Sequence, residues 1–177
     1  MEGNKSKTVK STGSSKTPKP RALLVFGAPC SGKTTFSEKF SEKFDLVRFD
    51  FDEIKVQYRL TRKTILLIVK LLAQTGKTMM IEGGLATEKE REEMRNVLRA
   101  GGYDPSLIWI QTDVTTIRAR MKTKYKTVAK AKEMYDEQVS GLEAPAEYEH
   151  PIILSGKHTF ETQTKHVLAG LAEAAKA

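Results

Sequence analysis

One segment constrains this chain more than any other: an apolar run followed by a loop with fixed glycine, lysine and threonine positions. Residues 22–26 read Ala-Leu-Leu-Val-Phe, a continuous apolar stretch typical of a buried parallel strand. Residues 27–34 read Gly-Ala-Pro-Cys-Ser-Gly-Lys-Thr and fit the spacing G-x-x-x-x-G-K-[ST]. A helical pattern follows over residues 33–43. A strand, a glycine-bounded loop and a helix in this order predict a phosphate-binding loop rather than an ordinary turn.

The chemistry of such a loop explains its residue types. Glycines let the backbone wrap an anion without a clash of Cβ atoms, and the helix N-terminus adds free N–H groups and a positive dipole. Lys33 is predicted to reach the β- and γ-phosphates of ATP, and the Thr34 hydroxyl to bind Mg²⁺. Cys30 is interpreted as a filler residue, with a reactive thiol as the less favoured alternative. The predicted cofactor-binding residues are Gly27, Ala28, Pro29, Cys30, Ser31, Gly32, Lys33, Thr34 and Thr35.

Strand patterns alternate with helical patterns along the rest of the chain. Strands are predicted over residues 22–26, 46–49, 78–81, 107–110 and 151–154, and helices over residues 33–43, 62–75, 87–100, 114–140 and 160–175. Such alternation indicates a parallel sheet that is covered by helices on both faces. The predicted fold class is therefore α/β, a P-loop NTPase fold with about five parallel strands.

Composition excludes several other classes of protein. With 177 residues the chain has the size of one domain, here residues 21–177, and its single cysteine excludes a disulfide scaffold. No apolar run approaches the roughly 20 residues of a membrane-spanning helix, so we expect a cytoplasmic protein without a membrane partner. Residues 1–20 carry five lysines and one glutamate, and the side chains of this segment therefore supply half of the chain's net charge of +8. This segment is predicted to be a disordered basic tail, either an electrostatic arm or an inert solvated end.

Acidic residues follow the second predicted strand. The segment 50–55 reads Asp-Phe-Asp-Glu-Ile-Lys, and ligands of open parallel sheets bind beyond the carboxyl ends of the strands. A carboxylate there can accept the proton of a substrate hydroxyl, which makes Asp50 and Asp52 candidate groups at the substrate. The alternative is that Asp50 or Asp52 caps the following helix.

A further acid ends the third predicted strand. Glu82 follows the apolar run Met-Met-Ile and is a candidate ligand for Mg²⁺ and its waters. Gly83 and Gly84 would leave room for a substrate at the edge of the sheet. An ordinary strand end followed by a turn is the alternative.

Two basic stretches receive different interpretations. The helix after the fourth strand carries Arg118 and Arg120, and either arginine could close over the phosphates as charge develops during transfer. A solvated charged face is the alternative. The cluster of Glu, Lys and Arg at residues 88–95 is interpreted as the surface of a helix.

These motifs together resemble small P-loop kinases of the AAA-domain group that includes polynucleotide 5′-hydroxyl kinases and zeta-toxin-like kinases. The segment 52–55, Asp-Glu-Ile-Lys, is similar to the Asp-Asp-hydrophobic-Arg motif of that group. The resemblance implies that Asp52 is the base, that Lys55 helps to hold the acceptor, and that the lid arginine is Arg118 or Arg120. It also implies that the loop 156–159 lies near the adenine. Two positions depart from the group's motif. Glu53 replaces the second aspartate, and Lys55 replaces the arginine. A lysine lacks the bidentate fork with which an arginine recognises phosphate.

The sequence therefore predicts a kinase that transfers the γ-phosphoryl group of Mg-ATP to a hydroxyl. The acceptor is either a small molecule or the 5′ end of a nucleic acid. The alternative from another class is a nucleotide-binding regulator or toxin-like protein with little turnover. A plain NTPase is disfavoured because no residue is clearly placed to orient an attacking water. The oligomeric state is not predicted.

Overall fold

The computed structural model describes residues 19–125 and 127–176. Of the predicted basic tail, residues 1–18 lie outside the described residues. Five strands form one fully parallel sheet in the order β2-β3-β1-β4-β5. Their bounds are β1 Arg21–Phe26, β2 Val47–Asp50, β3 Met79–Glu82, β4 Asp104–Gln111 and β5 Ile152–Ser155.

The helices connect these strands, and most of them agree with the predicted positions. They are α1 Lys33–Phe44, α2 Phe51–Tyr58, α3 Arg62–Leu72, α4 Glu88–Ala100, α5 Val114–Tyr125, α6 Val128–Val139 and α7 Phe160–Ala174. Short 3-10 turns cover Ala73–Thr75 and Glu147–Glu149. In the described part of the chain, no helix has the length and apolar character needed to cross a membrane.

Local capping explains where several helices begin. A capping box starts α4, since the Thr87 hydroxyl accepts the N–H of Glu90 while the Glu90 carboxylate accepts the N–H of Thr87. The helical pattern predicted over residues 114–140 is present as two helices, α5 and α6. The Thr127 hydroxyl accepts the N–H of Lys130 and starts a separate helix, α6.

Both faces of the sheet are covered, as predicted. Odd and even residues of the central strand β1 point to opposite faces, so Leu24 joins a buried cluster with α3 and α4, and Leu23 joins one with α1 and α7. Phe36 and Phe40, four residues apart on α1, supply the aromatic part of the second cluster. The helices thereby fix the sheet from both sides, which confirms the predicted α/β fold class.

The strand order places the chemistry-bearing loops together. Because β1 lies between β3 and β4, the loop after β1 sits at the centre of the carboxyl edge of the sheet. In the register, Glu82 at the end of β3 lies opposite Asp50 of β2 on one side and Val25 of β1 on the other. The acids predicted from two separate motifs are therefore neighbours across adjacent strands.

The interpretation of residues 88–95 as a helix surface is wrong for Arg91. This side chain is fully buried, and its guanidinium forms a two-point ion pair with Glu149, with nitrogen–oxygen distances of 2.9 and 2.8 Å. The carbon of the guanidinium lies 4.8 Å from the ring centre of Phe26. A buried charge needs a complete set of partners, and here they include Glu143 and Glu149, which lie more than 50 positions away in the chain.

Candidate active site

The loop between β1 and α1 adopts a backbone that requires glycine. Gly27 has φ +150° and Gly32 has φ +108°, and a Cβ at Gly27 would lie 2.3 Å from the carbonyl oxygen of Ile110. Gly32 precedes α1 and makes no side-chain cap. The N–H groups of the first turn of α1 are therefore directed out of the helix without a side-chain acceptor, which is the arrangement that binds an anion.

Lys33 extends from the start of α1 back over this loop. Its Nζ donates hydrogen bonds to the carbonyl oxygens of Gly27 (3.0 Å) and Ala28 (3.1 Å). Burial lowers the pKa of Lys33, while the charges of Glu82 and Asp52 act in the opposite direction. The ammonium is thus held inside the curve of the loop, beside the acids that follow β2 and β3.

Thr34 and Glu82 meet across the site. The Thr34 hydroxyl donates to Oε1 of Glu82 at 2.5 Å, and Oε2 of Glu82 lies 3.5 Å from Arg48. Glu82 is only 2% exposed, and burial raises the pKa of its carboxyl group. The described residues contain no cluster of three or more metal-binding side chains. Mg²⁺ bound to nucleotide phosphates needs only one or two protein oxygens besides water, and Thr34 with Glu82 offers that donor set.

Asp50 and Asp52 have different surroundings. Oδ1 of Asp50 accepts the N–H groups of Asp52 and Glu53, both at 3.1 Å, and so caps α2. Asp52 is exposed, and its Oδ1 accepts the N–H of Gly84 at 3.1 Å. One acid therefore builds the helix end, and the other presents its carboxylate at the open edge of the sheet.

Gly83 allows the close approach of Asp52 to the loop after β3. A Cβ at this glycine would lie 2.4 Å from the backbone nitrogen of Asp52 and 2.7 Å from its Oδ1, and its φ is +84°. Lys55, one turn further along α2, lines the same cavity as Asp52 and Gly83. The predicted substrate-side residues Asp52, Lys55 and Gly83 are thus brought together.

The two candidate lid arginines separate in the structure. Nη1 of Arg120 donates to the carbonyl oxygens of Cys30 (3.0 Å) and Ser31 (3.2 Å), and its Nη2 donates to Gly156 (3.1 Å). The guanidinium carbon of Arg118 lies 5.6 Å from the ring centre of Tyr135 on α6. Only Arg120 of this pair contacts the phosphate loop in the described structure.

Thr112 and Gly156 support the phosphate loop, and Thr112 is a residue that the sequence analysis missed. Its hydroxyl donates to the carbonyl oxygen of Ser31 at 2.8 Å. A Cβ at Gly156 would lie 2.1 Å from the same carbonyl oxygen and 2.0 Å from the Thr112 hydroxyl. The position of Thr112 directly after β4 was the available signal, because such residues lie beside the loop after β1.

Two cavities open on opposite sides of Lys33. The first, about 550 Å³, lies between α1, Arg120 and the segment that begins at Gly156 and includes His158. The second, about 510 Å³, lies between Asp52, Lys55 and the loop after β3. Lys33 lines both cavities. One side chain therefore faces two compartments, one at the phosphate loop and one at the Asp52 carboxylate.

The parallel sheet with β1 at its centre, and the loop that leads into α1, define an α/β protein of the P-loop NTPase class. The chain belongs to the AAA domain family, whose sequence profile matches residues 23–147. This membership confirms the coarse part of the resemblance seen in the motifs. No curated protein sequence matches the chain.

Solved structures share the fold at low sequence identity. A gluconokinase from Sinorhizobium meliloti 1021 superposes with a TM-score of 0.68 and 17% identity, covering 90% of this chain and 96% of that one. The Mycobacterium tuberculosis APS kinase CysC, in complex with AMPPNP and APS, gives a TM-score of 0.65, 16% identity and coverage of 88% and 99%. Chaetomium thermophilum Kti12, in complex with ADP-AlF3, gives a TM-score of 0.69 and 12% identity, covering 86% of this chain and 98% of that one. These similarities establish the fold of this chain.

Proposed function

We propose that this protein is a kinase that transfers the γ-phosphoryl group of Mg-ATP to an alcohol hydroxyl. The observation that carries the proposal is the Asp52 carboxylate, which is oriented by the N–H of Gly84 and lines a cavity shared with Lys33 of the phosphate loop. A general base must be within reach of both the acceptor and the transferring group. The kinases among proteins of the same fold support this reading.

The transfer moves one proton and one phosphoryl group. The acceptor oxygen attacks the γ-phosphorus, the bond from that phosphorus to the β,γ-bridging oxygen breaks, and ADP leaves with the bonding electrons. The hydroxyl proton passes to the carboxylate of Asp52. Lys33 and the N–H groups at the start of α1 stabilise the charge on the phosphate oxygens. Thr34 and, through water, Glu82 would hold Mg²⁺, which would supply positive charge beside the phosphates.

The nucleotide and the acceptor take separate cavities in this proposal. The cavity beside Arg120 and Gly156 takes the nucleotide, with the segment 156–159 near the adenine. Arg120, rather than Arg118, is the lid arginine, because it already contacts the loop carbonyls of Cys30 and Ser31. The cavity beside Asp52 and Lys55 takes the acceptor. A cytoplasmic location remains a prediction from composition.

The first experiment measures transfer of label from γ-labelled ATP. Acceptors are 5′-hydroxyl oligonucleotides of RNA and DNA and a panel of small alcohols, at low salt. Asp52→Asn is compared with the wild type, and Asp45→Asn serves as the matched control. Asp45 is exposed at the far end of α1 in a left-handed conformation that asparagine tolerates. We expect labelled acceptor from the wild type and from Asp45→Asn, and loss of transfer in Asp52→Asn with nucleotide binding retained.

Two results would contradict the proposal. Full transfer by Asp52→Asn would remove Asp52 as the base. Full turnover by Lys33→Ala, compared with the exposed control Lys70→Ala, would remove the phosphate loop from the reaction. Tight ATP binding without transfer to any acceptor, together with an altered affinity for a protein partner, would instead favour the nucleotide-binding regulator.

A further inference from the structure

The cavity beside Asp52 has walls that come from four separate parts of the chain. Phe26 ends β1, Val56 lies on α2, Leu85 follows β3, and Leu142 follows α6. These four apolar residues line the cavity together with the carboxylate of Asp52 and the ammonium groups of Lys33 and Lys55. An acceptor would therefore meet an apolar wall opposite a small number of polar groups.

Arg91 holds this wall in place from behind. Its Nη1 donates to the carbonyl oxygens of Leu85 (3.3 Å), Ala86 (3.2 Å) and Glu143 (3.0 Å). The same guanidinium lies against Phe26 and is paired with Glu149. The two segments that supply Leu85 and Leu142 are thus tied to one buried side chain, and the shape of the cavity is preformed.

Two arginines that contact the loop after β3, Arg62 and Arg91, are already bound to protein acceptors. Arg62 donates to the Glu93 carboxylate and to the carbonyl oxygens of Gly84 and Glu90. Arg91 is fully buried with the partners given above. Recognition of a phosphate, sulfate or carboxylate favours the planar fork of an arginine with free donors. Among the described residues that line the cavity, the cations are instead Lys33 and Lys55.

Nearby acids offset the charge of Lys55. Asp52 and Glu53 lie in the first turn of α2, and Asp50 caps that helix. Lys33 faces the phosphate loop, where it donates to Gly27 and Ala28. An acceptor that carried its own negative charge would meet this acidic turn, and no arginine stands among the described residues that line the cavity. A neutral hydroxylated acceptor needs only hydrogen bonds and apolar contact, and the cavity offers both.

We propose that the acceptor is an uncharged small alcohol with an apolar portion, of the size of a sugar or nucleoside, rather than an anionic metabolite or a polynucleotide end. This inference rests on the proposed kinase function and names its substrate class. The polar end of the acceptor, with the reacting hydroxyl, lies at Asp52, and the apolar portion lies against Leu85 and Leu142. Lys55 donates a hydrogen bond to a second oxygen of the acceptor.

The test uses the full chain and a deproteinised small-molecule extract of the cells that make it. Ion-exchange resins separate the extract at neutral pH into uncharged, anionic and cationic pools. Each pool, and a 5′-hydroxyl oligonucleotide, is incubated with γ-labelled ATP and the wild type, Asp52→Asn or Asp45→Asn. We expect labelled product from the uncharged pool with the wild type and Asp45→Asn, and background label from Asp52→Asn.

The outcomes separate the inference from the proposed function. Asp52-dependent label from the anionic pool, the cationic pool or the oligonucleotide, at a level equal to or above that of the uncharged pool, would overturn the substrate class and leave the kinase function standing. Absence of label from every pool with the wild type would overturn the kinase function and the inference with it. Label from the uncharged pool that persists at full level in Asp52→Asn would leave the kinase function standing and overturn the placement of the acceptor at Asp52.

A second variant tests the apolar wall once the product is isolated. Leu142→Ala shortens a partly buried side chain that lines the cavity and leaves Asp52 and the phosphate loop unchanged. We expect KM for the uncharged acceptor to rise by about 10-fold or more, while KM for ATP stays unchanged. An unchanged acceptor KM would show that the acceptor does not contact this wall.

Discussion

The Thr34 hydroxyl donates a 2.5 Å hydrogen bond to Glu82 and so joins the first turn of α1 to the end of β3. The bond directs one carboxylate oxygen toward the phosphate loop, while the other faces Arg48 at 3.5 Å. Burial outweighs both favourable contacts and raises the pKa of Glu82. A carboxylate kept in this position against its solvation preference is typical of a functional site.

The raised pKa predicts that Glu82→Gln stabilises the fold near neutral pH. The folded chain binds this proton more tightly than the unfolded chain, so the stability that Glu82 contributes is present at low pH and is lost as pH rises through the raised pKa. Glutamine resembles the protonated form and still accepts the hydrogen bond from Thr34. We expect a higher Tm than wild type near pH 7, measured without nucleotide, and no difference below the unfolded pKa of about 4.3.

Glu82→Gln should also weaken the dependence of activity on Mg²⁺, so that a higher Mg²⁺ concentration is needed. We expect the Mg²⁺ concentration for half-maximal activity to rise by about 10–100-fold, as is usual for residues that orient bound metal and its waters. Glu42→Gln, on the exposed side of α1, is the matched control. A Tm below wild type near neutral pH would contradict the assigned direction of the pKa shift.

Gly83→Ala should impair transfer without weakening nucleotide binding. A Cβ here would lie 2.4 Å from the backbone nitrogen of Asp52, and the residue has φ +84°. Forcing a side chain into this position costs about 1–3 kcal/mol and displaces Asp52 from the cavity. Gly141→Ala is the control, because a Cβ at Gly141 has no neighbour within 4 Å among the described residues.

Steady-state kinetics and nucleotide titration measure the effect of Gly83→Ala. We expect kcat to fall at least about tenfold, since small misplacements of a catalytic group cost up to about 10²-fold. The Kd for ATP should match that of the wild type. Equal kcat in Gly83→Ala and Gly141→Ala would mean that the contact between Gly83 and Asp52 has no part in transfer.

Much of the site could be predicted because its determinants are local in the chain. The phosphate loop, the helix that follows it and the cap of α4 depend on residues within a few positions of each other. The local pattern also offered the cap of α2, which Asp50 forms, whereas the role of Asp52, whose carboxylate is exposed at the cavity, stays a prediction. Short-range hydrogen bonds and backbone preferences decide these features.

Other features depend on contacts that a sequence pattern does not encode. The helical positions of Arg118 and Arg120 do not tell which one faces the phosphate loop, since that depends on how α5 packs against α6 and the segment after β5. The burial of Arg91 depends on Glu149, which lies 58 residues away. Within the charged segment 88–95, no local pattern distinguishes Arg91, which is buried against a distant partner, from its exposed neighbours.

The contacts of Arg120 predict a difference between the two lid arginines. Its guanidinium bonds three carbonyl oxygens in a forked arrangement, which lysine cannot reproduce. We expect Arg120→Lys to lower kcat on the order of 10²-fold, comparable to loss of one donor to the transition state. Arg118→Lys should stay within about twofold of the wild type. Equal losses in both variants, measured by label transfer at saturating ATP, would show that the lid does not discriminate between them.

The buried pair of Arg91 and Glu149 predicts a non-additive effect on stability. Removing one partner leaves a buried charge uncompensated, so Arg91→Met and Glu149→Leu should each lower the free energy of unfolding by about 3–5 kcal/mol. Hydrogen bonds from Arg91 and from the N–H of Ala146 outweigh burial and lower the pKa of Glu149. The stability from this carboxylate is therefore present above its unfolded pKa and is lost as pH falls through the lowered pKa.

Urea unfolding of the two single variants and the double variant measures the coupling. We expect the double variant to lose clearly less stability than the two single variants combined, because it leaves no charge of the pair behind. The carbonyl oxygens of Leu85, Ala86 and Glu143 still lose their donor in that variant, so it should remain less stable than the wild type. Strict additivity would mean that the pair does not act as one unit, and that the wall of the acceptor cavity is held by packing alone.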